Sequence, residues 1–249
     1  MKTVSLFVFV GLFSFGVTAC GGGGTEEAPA VASDPVDPAT AARITGSITL
    51  EGTPPAAEGI RMDSDPFCAR QGQQSTQTFV TGTGGALQNV FIYVKDGLGN
   101  MTFPVPSTPV ILDQKGCMYE PHVLGIQVGQ TLEILSSDNT LHNVHAMPAQ
   151  NREFNKAHQL AGIRHTHVFT VKEVMVPFKC DVHRWMSAYI GVLDHPFHAV
   201  SGRDGGFELK GLPPGTYTIE AWHEALGTQT QTVTVGEQET REISFTFKV

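Results

Sequence analysis

Three side chains that can bind a soft metal ion follow one another at regular spacing. Cys180, His183 and Met186 lie at positions i, i+3 and i+6, and they offer a thiolate, an imidazole and a thioether. A trigonal set of two histidines and one cysteine, with a weak axial methionine, is the ligand set of copper electron-transfer sites. The motif supplies three of these four ligands, so it predicts that a second histidine comes from elsewhere in the chain.

The segment before this motif reads as a pair of β-strands followed by a polar loop. Residues 119–134 form the predicted strand pair, with a turn at Gly129. A loop containing Asp138 and Asn139 follows and leads into His142-Asn143-Val144. This order, which ends in the C-x-x-H-x-x-M motif, resembles the cupredoxins over residues 109–194.

The resemblance to cupredoxins implies a single type 1 copper ion and a role for each residue of the motif. It makes His142 the first ligand, Cys180 the thiolate ligand, His183 the second imidazole and Met186 the axial thioether. It also places Asn143 beside the ligands, where hydrogen bonds tune the metal. The short gap between His183 and Met186 is similar to that of amicyanin.

We expect redox partners to approach such a centre along an exposed edge of His183. Trp185 is its neighbour in the motif, and Met147 and Pro148 are further candidates for apolar contacts with a partner. Arg184 stands where proline often follows the ligand histidine in cupredoxins, so the docking surface is expected to differ from theirs.

The sequences on both sides of this region resemble a different family. They are similar, in chain order, to the strands of a carboxypeptidase regulatory-like (transthyretin-like) β-sandwich. Gly205 to Phe207 and Gly211 to Tyr217 are its most recognisable part. The four segments that carry the resemblance are Gly46 to Pro55, Leu87 to Val94, Asp204 to Trp222 and Thr228 to Phe247.

About a hundred residues separate the second and third of these segments, and an insertion accounts for them. The predicted fold is therefore all-β, with a Greek-key cupredoxin sandwich of residues 109–196 inserted in, or adjoining, a discontinuous transthyretin-like sandwich of residues 43–108 and 197–249. The alternative is a row of two or three independent β-modules. A short N-terminal piece with two clear strands argues against that alternative, because an isolated hairpin is only marginally stable.

The N-terminus has the features of an exported protein. Residues 1–19 read as a signal peptide, since a short basic start precedes an apolar run too short to span a membrane. Val17-Thr18-Ala19-Cys20 resembles a bacterial lipobox, which makes Cys20 a lipidated N-terminus; an ordinary signal peptide with a chance cysteine is the alternative. Residues 20–42 are poor in apolar side chains and predict a flexible tether.

Export also bears on the other cysteines and on location. Cys68 and Cys117 remain once Cys20 and Cys180 are assigned, so they are a candidate disulfide in an oxidising compartment, or else two buried thiols. We expect the chain on the periplasmic side or cell surface, held by its lipid alone. Glycines directly after Cys20, with no aspartate, favour the outer membrane.

The net charge bears on possible partners, and two of the remaining histidines bear on whether the chain binds a second metal ion. The formal charge of -8 and the lack of a basic patch argue against nucleic acid as a partner. His165 and His167 share one face of a predicted strand, but no third ligand accompanies them, so a second metal site is disfavoured.

The predicted function is one-electron transfer, with a cytochrome or copper enzyme as partner and no catalysis of its own. Three alternatives stay open. A copper-delivery lipoprotein would use the same ligands without redox turnover. A copper oxidoreductase, such as a nitrite reductase or multicopper oxidase, would need further copper bound by additional histidines. A cell-surface adhesion module with a degenerate site is the third, although the presence of all four ligands argues against it.

Overall fold

The computed structural model describes residues 36–249, together with Met1 and Thr3. Apart from those two residues, the predicted signal peptide, Cys20 and most of the tether lie outside the described residues. The described part contains two three-residue 3-10 helices, Cys68–Arg70 and Thr83–Gly85, and no helix in it is long and apolar enough to cross a membrane.

The remaining elements are sixteen strands, numbered in chain order: β1 (Ala42–Glu51), β2 (Phe91–Asp96), β3 (Val110–Lys115), β4 (Met118–Glu120), β5 (Val123–Gln127), β6 (Thr131–Ser136), β7 (His142–Ala146), β8 (Phe154–His158), β9 (Arg164–Val168), β10 (Glu173–Lys179), β11 (Ser187–Leu193), β12 (His198–Val200), β13 (Gly206–Leu212), β14 (Gly215–His223), β15 (Gly227–Val235) and β16 (Thr240–Lys248). The all-β prediction is confirmed.

The strands form four sheets that pack as two sandwiches. Sandwich A pairs the sheet β13-β1-β16 with the sheet β12-β2-β14-β15, and one apolar core that includes Ile44, Ile92 and Phe245 fills the space between them. Sandwich B pairs the sheet β5-β11-β10-β7-β8 with the sheet β4-β3-β6-β9, around a second core that includes Leu132 and Phe178. Sandwich A thus draws its strands from residues 42–96 and 198–248, and sandwich B from residues 110–193.

Alternation of apolar and polar residues explains most of these strands. In β6, Leu132, Ile134 and Ser136 are buried and the residues between them are only half-buried, as expected for a strand with one face on a core. Strand β2 differs, because its first four residues, 91–94, are all buried. A strand that is apolar on both faces must be covered on both faces.

The second face of β2 packs against sandwich B. Phe91 and Tyr93 form an apolar cluster with Val123 of β5, Met175 of β10 and Leu193 of β11. A Cβ atom on Gly191 of β11 would lie 2.3 Å from the Phe91 ring, so only glycine allows this approach. The cluster joins the two sandwiches through buried side chains.

Candidate metal centre

The four residues predicted as metal ligands lie at one end of sandwich B. His142 begins β7, and Cys180 follows directly after β10. Strands β7 and β10 are antiparallel neighbours, with Phe178 opposite Ala146, so these two ends lie side by side. His183 lies in the loop after Cys180, and Met186 immediately precedes β11.

Three of these side chains converge on one point. The ligand atoms of His142, Cys180 and His183 lie within 4.8 Å of one another, and the two Nδ1 atoms are 2.9 Å apart. All three residues are buried, with exposed fractions of 0%, 1% and 2%. Two imidazoles and one thiol fit a soft or borderline cation such as copper.

Met186 belongs to the same tight loop. Its backbone N–H donates to the carbonyl of His183 over 2.9 Å, and its carbonyl accepts from the N–H of Cys180 over 3.2 Å. The side chain is fully buried, in the same apolar cluster as Cys180. These two hydrogen bonds hold the loop closed around its three ligand-type residues.

Hydrogen bonds favour the anionic form of the cysteine. The sulfur of Cys180 accepts from the backbone N–H of Asn143 over 3.5 Å and from that of His183 over 3.3 Å. Burial raises the pKa of this thiol, but hydrogen bonds from the two imidazoles and the two amides outweigh burial and lower the pKa to about 6. The thiolate, which is the form that binds metal, is therefore accessible at neutral pH.

Each imidazole presents its outer nitrogen to a carboxylate. His142 Nε2 lies 3.0 Å from Asp138 Oδ2, and His183 Nε2 lies 3.2 Å from Asp65 Oδ2. Such a contact fixes the proton on Nε2, leaves Nδ1 for a metal and strengthens the imidazole as a donor. Burial lowers the pKa of His142, but hydrogen bonds and charge from Asp138 and Cys180 outweigh burial and raise the pKa to about 9.

Asn143 ties the ligand loop to β7. Its side-chain oxygen accepts from the backbone N–H of Asp181 over 2.6 Å and from that of Val182 over 3.4 Å. Its side-chain nitrogen donates to Asn155 over 2.7 Å and to the Asp181 carboxylate over 2.9 Å. The side chain thus anchors the two residues between Cys180 and His183, while the Asn143 backbone bonds to the sulfur.

The prediction of an exposed His183 edge is wrong. His183 is 2% exposed, because Asp65 and Cys68, more than a hundred positions earlier in the chain, cover its Nε2. The Trp185 ring lies 4.9 Å from the His183 ring, and its Nε1 donates to the carbonyl of Cys117. This imidazole edge is therefore covered by the protein itself.

Two carboxylates were missed by reasoning from the sequence. Asp138 had a detectable signal, because it lies in the polar loop four positions before His142. Asp65 had none, since no pattern in its segment points to a histidine 118 positions away.

The remaining cysteines and histidines also have defined surroundings. Cys68 and Cys117 form a disulfide, and Cys180 is the free cysteine of the described residues. The His165 ring lies 4.9 Å from that of His158, and the His167 ring contacts the rings of Phe154 and Phe169. Within residues 36–249, the groups of three potential metal ligands include neither His165 nor His167.

Solved structures similar to parts of this chain include a nitrite reductase, a cupredoxin and an amicyanin variant. A copper-containing nitrite reductase from Thermus scotoductus SA-01 is 23% identical, with a TM-score of 0.33 over 39% of this chain and 25% of its own. A purple cupredoxin from Nitrosopumilus maritimus is 22% identical, with a TM-score of 0.29 over 33% of this chain and 98% of its own. An oxidised amicyanin variant is 20% identical, with a TM-score of 0.31 over 34% of this chain and 81% of its own. The match thus spans a quarter of the nitrite reductase.

A family model of protein sequences matches part of sandwich A. No curated protein matches the chain. Residues 188–248 match the carboxypeptidase regulatory-like domain family, a stretch that begins in β11 of sandwich B and continues through β12 to β16. The predicted resemblance to the carboxypeptidase regulatory-like family is confirmed over these residues.

Proposed function

We propose that this chain is a type 1 copper protein that carries single electrons between redox partners. The observation that carries the proposal is the buried convergence of His142, Cys180 and His183 at the end of sandwich B. When bound there, copper would supply a one-electron couple, and Met186 is the candidate for the weak axial ligand. A cytochrome or a copper enzyme is the expected partner.

The surroundings of the three ligands favour electron transfer over substrate chemistry. Each imidazole is oriented by a carboxylate, and the sulfur is held by two backbone amides. Ligands held in this way change position little when the charge of a bound metal changes, which favours fast electron exchange.

Export and lipid anchoring are part of the proposal. The signal-like residues 1–19 and the lipobox-like sequence ending at Cys20 support them. The Cys68–Cys117 disulfide supports export as well, because disulfides persist mainly in oxidising compartments. Metabolic labelling with a fatty-acid analogue tests the anchor: label should enter the wild type and be absent from Cys20→Ser.

Adding Cu(II) to the purified full-length protein tests the copper centre. One equivalent should produce an intense visible band from charge transfer between sulfur and copper, which ascorbate bleaches and ferricyanide restores. Cys180→Ser should lack the band. His165→Ala is the matched control and should keep it, since His165 lies outside the cluster. A wild type without the band, or a band that survives in Cys180→Ser, would contradict the proposal.

Copper stoichiometry and release separate this proposal from its alternatives. A copper oxidoreductase would bind additional copper beyond one equivalent. A delivery protein would pass Cu(I) rapidly to a metal-free acceptor protein. We expect one equivalent and slow release.

A further inference from the structure

A loop from the N-terminal part of the chain covers the candidate metal centre. Residues 60–74, here called the cap loop, are closed at their base by a hydrogen bond from the Ile60 N–H to the Gln74 carbonyl over 2.8 Å. Two residues of this loop contact His183: Asp65 Oδ2 lies 3.2 Å, and Cys68 Sγ 3.7 Å, from its Nε2. The cap loop therefore occupies the side of this imidazole that faces away from Cys180.

The Asp65 carboxylate is held in place by several donors. One oxygen accepts from the backbone N–H of Phe67 over 2.7 Å and from that of Cys68 over 3.1 Å. The other accepts from the Thr140 hydroxyl over 2.7 Å and faces His183. These contacts hold the carboxylate in one orientation, with Oδ2 directed at His183.

Both oxygens of the Asp65 carboxylate accept from the donors that hold it, so the hydrogen bond from His183 to Asp65 is donated by Nε2. This leaves the other ring nitrogen, Nδ1, which lies 2.9 Å from Nδ1 of His142, as the atom to bind a metal. Asp65 thus sets both the tautomer and the orientation that a metal ligand requires.

The cap loop is tied covalently to sandwich B. Cys68 is bonded to Cys117, which lies between β3 and β4. Both sulfur-bearing residues are fully buried in a small apolar cluster with Met62, against which Phe67 and Trp185 pack. Trp185 in turn lies against the His183 ring, so the imidazole is enclosed by the cap loop, the disulfide and the indole.

We propose that the cap loop locks His183 as a ligand, with Asp65 as the positioning residue, so that this centre retains its copper instead of delivering it. Loss of a bound metal requires ligands to leave one at a time. His183 cannot swing outward while Asp65 accepts its N–H and the tethered loop fills the space beyond it. This inference rests on the proposed function and extends it to how the same site is regulated.

The rate of Cu(I) transfer to a chelator such as bicinchoninate tests the lock. Asp65→Ala should release Cu(I) about tenfold faster or more than the wild type, the scale on which outer hydrogen-bond partners affect metal binding. Asp65→Asn keeps an oxygen acceptor and should release at an intermediate rate. Asp63→Ala is the matched control. It removes a carboxylate from the same loop, but this side chain is 75% exposed and its ion-pair partner is Arg61, so release should not change.

Two further measurements detect positioning as distinct from folding. In the metal-free protein, nuclear magnetic resonance should show His183 protonated on Nε2, and Asp65→Ala should lose this single tautomer. In the copper-loaded protein, Asp65→Ala should raise the reduction potential, because a weaker imidazole donor stabilises Cu(II) less. Thr140→Val removes one donor to Asp65 without touching the cap loop itself and should shift release in the same direction by a smaller factor.

The outcomes separate this inference from the function on which it rests. A wild type that forms no charge-transfer band contradicts the copper function itself. A normal band with unchanged release, tautomer and potential in Asp65→Ala contradicts the lock alone. Equal effects of Asp63→Ala and Asp65→Ala would also contradict it, because they would reflect loss of charge and not the contact with His183.

Discussion

The pKa values of two buried histidines, in different regions of this molecule, are shifted in opposite directions. His142, in the candidate metal centre, is 0% exposed, and its pKa is raised to about 9. His195, between β11 and β12 where the chain returns to sandwich A, is 3% exposed, and its pKa is lowered to about 4. Equal burial therefore does not decide the charge of these side chains.

The difference comes from what each ring contacts. His195 Nε2 donates to the carbonyl of Val94 over 2.8 Å, and its Nδ1 accepts from the N–H of Phe197 over 3.2 Å. Desolvation by burial is the largest influence on its pKa, and the exposed Asp194 carboxylate, 3.9 Å from Nε2, opposes it without outweighing it. His142 instead lies between the Asp138 carboxylate and the Cys180 sulfur, whose negative charges outweigh the same desolvation. The Asp138 carboxylate beside His142 is buried, whereas the Asp194 carboxylate near His195 is 62% exposed, so water screens the charge of Asp194 far more.

The largest expected effect comes from removing the disulfide that ties the cap loop to sandwich B. Cys68→Ala combined with Cys117→Ala opens a constraint across a sequence separation of 49, which is worth about 4 kcal/mol of unfolding free energy in the chain-entropy estimate. Urea unfolding of the metal-free protein measures it. The wild type with intact disulfide is the reference, and reduced wild type should resemble the double variant. Equal unfolding free energies of all three proteins would show that the stability of the metal-binding region does not depend on this disulfide.

Acid should destabilise the region of His195. With a pKa of about 4 in the folded state and about 6.5 when unfolded, the unfolded chain binds more protons between these values. The stability from this residue is thus complete above pH 6.5 and is lost as pH falls towards 4, by about 3 kcal/mol at most. Urea unfolding at pH 7 and pH 4.5 should show less acid destabilisation in His195→Gln than in the wild type. The same pH dependence of unfolding in both proteins would show that His195 does not cause the acid destabilisation.

The junction between the sandwiches should be sensitive to a single methyl group. Gly191→Ala would place its Cβ 2.3 Å from the Phe91 ring and should cost about 2 kcal/mol of stability, as overpacking does. Gly236→Ala is the control, because the nearest atom to its added Cβ is a glutamate oxygen 3.4 Å away. Thermal unfolding of the metal-free proteins measures both. Equal melting temperatures for the two variants would show that the junction can relax.

The smallest expected effect comes from neutralising one of the two anions beside His142. Asp138→Asn removes one of the two negative groups and should lower the pKa of His142 by about one unit, equivalent to about 1.4 kcal/mol. Nuclear magnetic resonance of the metal-free protein follows the titration, and the His195 signal in the same spectra is the internal control. An unchanged His142 pKa would assign its raised value to Cys180 alone.

The sequence by itself determined the local features of this protein. Alternation such as that of Leu132, Ile134 and Ser136 predicts strands, because a strand with one face on a core buries every second residue. The spacing of Cys180, His183 and Met186 predicted a compact loop of soft ligands, and the resemblance to cupredoxins added His142 and Asn143. The structure brings His142, Cys180 and His183 together.

Only the tertiary structure decided what covers these features. The apolar run of β2 predicts burial on two faces, but not that Phe91 packs on sandwich B. In the same way, nothing near Asp65 in the sequence indicates that its carboxylate reaches His183. Periodicity reports which face of a segment is apolar, whereas the partner of that face depends on contacts between residues far apart in the chain. Those contacts turn an imidazole expected at the surface into one enclosed beneath a tethered loop.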